Sequence, residues 1–158
     1  MSERYALMIP RPTNFDPAVM RAMIRTTESH VSEPLARADR RVRRHKSIAE
    51  AFRKAMTVMG LRLVTEKGYA ADTVTGVYYP ERIDDITFRQ EMAKNNVVVA
   101  RGVSELEGRI FRVGHMGIVN GNDIIATVAA IERTMKKMGH RFEYSNGCRA
   151  AQLELERI

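Results

Sequence analysis

The sequence contains one cysteine, no tryptophan and no long apolar run. A single cysteine excludes a disulfide framework and any zinc or iron–sulfur site built from several thiolates. A membrane-spanning helix needs about 20 consecutive apolar residues, so no membrane partner is expected. The first ten residues combine a short apolar stretch with an acidic residue, which does not fit a secretory signal peptide. These absences favour a cytoplasmic protein.

The 158 residues are 44% hydrophobic and 28% charged, which suits one folded domain with its own core. The 4 histidines lack the spacing of metal ligands, so no metal site is expected. His115 lies in a glycine-flanked turn, and we expect a structural role for it. Cys148 has no catalytic neighbour in the sequence, and we expect a passive thiol.

Positive charge is concentrated in the first part of the chain. Residues 1–67 hold 14 Lys and Arg against 7 Asp and Glu, whereas residues 68–158 hold 12 of each. Much of the excess lies between Arg37 and Lys46. Such a run can bind nucleic acid, form a solvated face, or mark a face that has lost an acidic partner. No aromatic platform or groove-reading motif accompanies it, so we do not expect nucleic-acid binding.

The apolar pattern predicts a short strand near residues 5–9 and a first helix beginning at Asp16 and Pro17. A long helix is predicted from Leu35 to Met59, closed by Gly60. Its first half is nearly all polar and its second half carries an apolar stripe. A helix of this kind usually spans two bodies and packs into one of them.

After Gly60 the pattern changes to short strands alternating with helices. The predicted order is strands at 61–65 and 73–79, a helix at 83–95, strands at 97–100 and 109–113, a helix capped by Asn122 and Asp123, a strand-like piece at 141–144 and a helical segment at 148–158. This order predicts an α+β fold. We expect a small two-layer sandwich, with a short, mainly antiparallel sheet and helices on one face, preceded by the long helix.

Arg112 lies within a predicted strand between two apolar residues, Phe111 and Val113. An arginine in that position needs a partner, because an unpaired buried charge is costly. One interpretation is an internal ion pair. The other is a clamp for a carboxylate, which the guanidinium fork fits. The residues alone leave both open.

Several motifs together resemble class V pyridoxal-phosphate-dependent aminotransferases of the alanine–glyoxylate or serine–pyruvate type. The run RIFRVGHMG at residues 109–117, followed by NDII at 122–125, is similar to that family's C-terminal signature. TVTGVYYP at 73–80 resembles the strand that opens its small domain, and RRH at 43–45 its interdomain helix. LMIPRPTN at 7–14 resembles its N-terminal opening. The resemblance covers about 5–32 and about 37–148.

The resemblance implies transfer of an amino group from an amino acid such as alanine or serine to glyoxylate or pyruvate. Arg112 matches the arginine that binds the substrate carboxylate. Pro10, Thr13 and Asn14 match the opening segment that walls the pocket. The implied organisation is an N-terminal arm and first helix at 1–34, a long helix at 35–60 and a small domain at 61–158.

The family's large domain, with the lysine that forms the Schiff base, has no counterpart in this sequence. The arm joins the long helix near residues 32–37, and none of the six lysines lies in a segment like the cofactor-lysine motif. Pyridoxal-phosphate chemistry needs that amine. We therefore expect no catalytic residue and no bound cofactor in this chain alone, and no transamination by it.

Two further departures concern residues that the family has as glycine near the substrate pocket. Arg11 and Arg101 stand in those positions, and each is expected to crowd the pocket. An alternative to the enzyme is a non-catalytic module that binds a partner, as a homodimer, as one subunit of a split enzyme, or as a mixed dimer with a full-length paralogue.

Overall fold

The computed structural model describes residues 6–8, 33–66 and 68–157. The predicted first helix at Asp16 and Pro17 lies outside these residues. The described elements are β1 (Ala6–Met8), α1 (Glu33–Val58), β2 (Val74–Tyr78), α2 (Asp85–Lys94), β3 (Val97–Arg101), a 3₁₀ turn (Ser104–Leu106), β4 (Ile110–Gly114), α3 (Gly121–Lys137) and α4 (Asn146–Leu155).

The four described strands form one sheet in the order β1-β3-β4-β2. β4 is antiparallel to both of its neighbours, with Gly76 opposite Arg112 on one side and Ala100 opposite Arg112 on the other. β1 adds a parallel edge, with Ala6 opposite Val97. The predicted short, mainly antiparallel sheet is therefore confirmed.

The core lies between one face of the sheet and the helices. Phe111 and Val113 of β4 and Val77 of β2 are buried on that face. Phe88 of α2 meets the Phe111 ring with 4.8 Å between centroids. The second half of α1 supplies Phe52, which is fully buried in the same cluster. Alternate residues of a strand point to opposite faces, so the other face of the sheet is the one turned away from the helices.

The helix ends follow from local capping groups. α1 ends one residue before its predicted boundary, and Gly60 follows with φ +74°, a conformation that glycine adopts without strain. The start predicted for α3 was two residues late. Asn120 is its N-cap, since its side chain accepts from the backbone N–H of Asn122 at 2.8 Å, while Asp123 accepts from the Asn120 N–H at 2.9 Å.

Two of the predicted strands are wrong. The segment 61–65 follows the edge of β2 and makes a single bridge, Leu63 to Val77, before it bends away. The segment 141–144 has no ladder partner among the described residues, and its alternation reflects aromatic stacking. His140 and Phe142 stack at 5.7 Å, and Phe142 and Tyr144 lie 6.4 Å apart.

The last helix, α4, begins on a buried carboxylate. Glu132 of α3 is 2% exposed and accepts from the backbone N–H groups of Gly147 at 2.8 Å and Cys148 at 3.2 Å. A negative charge at a helix N-terminus is favourable. A Cβ at Gly147 would stand 2.8 Å from both Glu132 Oε1 and Met59 Sδ, so this close packing requires glycine. α4 therefore packs against both α3 and the end of α1 and holds them together.

No described helix is long and apolar enough to pass through a bilayer.

Candidate functional site

Arg112 lies at the middle of β4, on the sheet face turned away from the helices. Its neighbours Phe111 and Val113 are fully buried in the core, while Arg112 itself is half-buried. The two residues paired with it are Gly76 and Ala100, which have the smallest side chains. The space above Gly76 on this face is taken by the Val64 side chain, since a Cβ at Gly76 would lie 3.0 Å from Val64 Cγ2.

One hydrogen bond orients the Arg112 side chain. Its Nε donates to the carbonyl oxygen of Arg101 at 2.9 Å. Among residues 38–157 whose side chains are described, no carboxylate lies within ion-pairing distance of the guanidinium. The internal ion pair that the sequence left open is therefore not formed with these residues.

Arg101 directs its side chain away from this position. It pairs across the sheet with Phe111, and its Nη1 lies 2.8 Å from Glu107 Oε1 in the following turn. Gly102 is required next to it, because a Cβ there would lie 2.0 Å from the carbonyl oxygen of Leu106. Crowding of the pocket by Arg101 stays a prediction.

A second cluster lies where β2 begins and β4 ends. His115 is fully buried, with Nε2 2.8 Å from Thr75 Oγ1 and Nδ1 3.1 Å from the carbonyl oxygen of Asp72. A carbonyl only accepts, so Nδ1 carries the proton and Nε2 accepts from the threonine hydroxyl. Burial lowers the pKa of His115 to about 4. Both ring nitrogens are engaged by the protein, as expected for a structural histidine.

α1 reaches this cluster through two adjacent residues. Arg44 donates from Nη2 to the carbonyl oxygen of Gly117, although the two residues are 73 positions apart. His45 is half-buried, and burial lowers its pKa, with the charge of Arg44 acting in the same direction. The two motifs at 43–45 and 109–117 are therefore in contact. Sequence reasoning found each motif but gave no signal that they meet.

The remaining predicted groups differ in how far the structure describes them. Pro10, Thr13 and Asn14, predicted to wall the pocket, lie outside the described residues, as does Arg11.

Cys148 is half-buried, and burial followed by the Glu132 carboxylate raises its pKa to about 11. A thiol protonated at neutral pH is a poor nucleophile, in line with the passive role expected for it. The described residues contain no group of three or more potential metal ligands.

The chain is similar to known proteins both in its sequence and in its fold. No family model matches the chain. It is 40% identical over 108 residues to an uncharacterised aminotransferase of Methanocaldococcus jannaschii, covering 68% of this chain and 28% of that protein. It is 30% identical over 117 residues to serine–glyoxylate aminotransferase of Arabidopsis thaliana, covering 73% and 29%.

A solved structure of an aminotransferase is also similar to this chain. The pyridoxamine–pyruvate aminotransferase of Mesorhizobium loti superposes with a TM-score of 0.70 at 30% identity, over 73% of this chain and 30% of that one. The chain thus spans less than a third of the length of the relatives that it matches. By this similarity in sequence and fold, the chain belongs to the class V pyridoxal-phosphate-dependent aminotransferase family.

Proposed function

We propose that this chain is the substrate-carboxylate-binding part of an aminotransferase, with Arg112 as the residue that holds the carboxylate. The observation that carries the proposal is that Arg112 lies on the sheet face turned away from the helices, between Gly76 and Ala100, with no carboxylate partner among the described side chains. Two of the relatives named above are named for glyoxylate or pyruvate, which supports a small α-keto acid and its amino acid as ligands.

The geometry suits a carboxylate for a physical reason. A guanidinium presents several N–H donors in a planar fork that matches the two oxygens of a carboxylate. Nε of Arg112 is held by the Arg101 carbonyl oxygen, which fixes the plane of the fork. A fixed fork loses less conformational entropy when a ligand binds. Pro10, Thr13 and Asn14 are proposed as further walls of this pocket.

The described lysines do not fit the family's cofactor. Lys94 and Lys137 each bond to Glu91 at 2.6 Å, and Lys136 stands 4.3 Å from the centre of the Tyr144 ring. Lys46 and Lys54 lie on α1, beside a cavity of about 840 Å³ whose lining does not include Arg112. All five are on helices that cover the opposite face of the sheet from Arg112.

When bound to such an enzyme, pyridoxal phosphate supplies the electron sink for amino transfer. We therefore propose that this chain does not transaminate alone and that another polypeptide provides the cofactor-binding domain. Within that arrangement, residues 1–34 would be an arm with a first helix, 35–60 the linking helix and 61–158 the small domain of a cytoplasmic protein.

Carboxylate binding is tested by titrating pyruvate into the isotope-labelled chain and following the amide signals of Gly76 and Ala100. We expect saturable shifts. Arg112→Gln should weaken binding about tenfold or more, since charge-assisted hydrogen bonds are lost. Arg112→Lys should be intermediate. Arg149→Gln, which removes an exposed charge on α4, is the matched control. Unchanged binding by Arg112→Gln contradicts the proposal.

The proposal that this chain does not transaminate alone is tested separately. The chain with pyridoxal phosphate, alanine and glyoxylate should form no pyruvate. A visible absorbance band that borohydride fixes on one specific lysine would show that this chain anchors the cofactor after all.

A second candidate function is a non-catalytic module that joins a full-length paralogue in a mixed dimer or pairs with itself. It is favoured by the first half of α1, where residues 38–43 are all exposed and three of the six are arginines. Size-exclusion chromatography with light scattering, on the chain alone and mixed with such a paralogue, distinguishes these states. A monomer that ignores the paralogue argues against this candidate.

A further inference from the structure

A cavity of about 380 Å³ lies where three segments of the chain come together, and Arg112 is not among the residues that line it. The segments are the end of α1, the end of β2 and the turn before β4. Backbone hydrogen bonds align them, since Tyr78 N donates to the Arg62 carbonyl oxygen at 2.9 Å and Tyr79 N donates to the Arg109 carbonyl oxygen at 3.0 Å. These backbone hydrogen bonds therefore fix the positions of the segments that line the cavity.

The two glycines at its edge allow the chain to turn there. Gly60 follows α1 with φ +74°, and Gly108 precedes β4 with φ +71°. Both line the cavity, and neither would bring a Cβ within 4 Å of another residue. Each glycine is therefore needed for its backbone conformation, and the space beside it is open.

The charged groups of the cavity are two arginines, Arg62 and Arg109. No carboxylate with a described position lies within ion-pairing distance of either one. The Arg62 guanidinium carbon stands 3.9 Å from the centre of the Tyr78 ring. Such a contact holds the guanidinium in place while leaving its donors at the edges of the plane.

Tyr79 also lines the cavity, and its hydroxyl group is already hydrogen-bonded to a carboxylate. The Tyr79 hydroxyl donates to Asp85 Oδ1 at 2.7 Å, and Asp85 is also bonded to Arg89 through both carboxylate oxygens. Burial and the Asp85 contact raise the pKa of Tyr79, so the phenol adds no negative charge. The exposed turn residue Glu81 does not line the cavity. The charged side chains that line the cavity are therefore both positive.

We propose that this cavity binds a small organic anion, with its oxyanion group held between Arg62 and Arg109. The volume falls in the range of small-molecule sites. Leu61 and Ile83 give the wall an apolar part, so the ligand carries a short hydrocarbon portion next to its charge. The shared chemistry is a carboxylate or phosphate oxyanion. This site is separate from Arg112 and does not depend on the function proposed for that residue.

The test uses the full chain, labelled with ¹⁵N, and two probes, succinate and inorganic phosphate. We expect saturable shifts of the Gly60 and Gly108 amide signals with at least one probe, and the tighter probe identifies the oxyanion. Arg62→Gln and Arg109→Gln should each weaken binding about tenfold. Because both side chains are exposed, the folded signal pattern should be kept.

Two further variants complete the design. Arg62→Lys keeps the charge but loses the planar fork, so it should bind more weakly than the wild type. Arg149→Gln removes an equal charge elsewhere and should leave binding unchanged. Absence of saturable shifts with both probes overturns the proposal. An equal loss in Arg149→Gln also overturns it, because binding would then follow net charge.

Discussion

The two halves of α1 share one backbone but have different surroundings. Phe52 and Met56 in the second half are fully buried, whereas residues 38–43 in the first half are all exposed. The second half is held by the sheet, α3 and α4. The first half makes its described tertiary contact near its end, where Arg44 reaches Gly117. One half is therefore part of the core, and the other depends on helix propensity and on local pairs.

The side chains of α1 that stabilise the fold therefore lie in its second half, and those that are accessible to other molecules lie in its first half. Substitutions in the buried half should change the free energy of unfolding. Substitutions in the exposed half should leave stability almost unchanged and should alter binding to a partner, where one exists.

Phe52→Ala should destabilise the protein by about 3–5 kcal/mol, because it removes a fully buried ring and leaves a cavity. The matched change in the first half is Val42→Ala. Val42 is 63% exposed, so its loss should cost less than about 0.5 kcal/mol. Urea denaturation of both variants measures the contrast. Similar costs for the two would show that the halves are not distinct.

The pH dependence of stability should report on His115, whose ring lies 6.3 Å from the Phe52 ring. Its folded pKa is about 4, below the ordinary value of 6.5. Between these values the unfolded chain binds more protons than the folded one, so stability should fall as the pH is lowered from about 6.5 to 4. The loss is up to about 3 kcal/mol.

Denaturation across that pH range, with His115→Gln as the comparison, checks this expectation. The variant should be less stable at neutral pH but should show a flatter profile. His45, which is half-buried, also has a lowered pKa, and His45→Gln should flatten the profile less. An unchanged slope in His115→Gln would mean that other groups bind the protons.

Much of the fold follows from local sequence pattern. The apolar stripe and Gly60 define where α1 ends, and alternation around Phe111 and Val113 places Arg112 on the opposite face of β4. These signals are local, so a single sequence carries them. The segment 61–65 was mistaken for a strand because it alternates and bonds to β2 at two points, yet it bends before a ladder forms.

What the sequence did not predict depends on contacts between distant segments. The parallel pairing of Ala6 with Val97 and the bond from Arg44 to Gly117 have no local signature. The cavity between Arg62 and Arg109 was missed for the same reason, since Arg62 belongs to no recognised motif and the motif at 109–117 carries no sign that Arg109 lies near the end of α1. The partner of Arg112 Nε is a backbone carbonyl, and residue type does not reveal such an acceptor.

Glu132→Ala should cost about 1–3 kcal/mol, because it leaves the buried N–H groups of Gly147 and Cys148 without their acceptor. Glu132→Gln keeps one acceptor oxygen and should cost less. The loss should appear first as faster hydrogen exchange in α4, which would loosen its packing on the second half of α1. Equal destabilisation by the two variants would show that the charge, and not the hydrogen bond, holds the helix.

The smallest effect is expected from the ion pair in the exposed half. Arg43 Nε lies 2.8 Å from Asp39 Oδ2, one helical turn apart, with both side chains more than half exposed. Such pairs stabilise a helix by a few tenths of a kcal/mol and are weakened by salt. Asp39→Asn should therefore reduce stability slightly at low salt and not at high salt. It also makes this half more basic, so binding to an acidic partner should tighten if this surface is an interface. A loss of stability comparable to that of Glu132→Ala would mean that the first half of α1 contributes to the core after all.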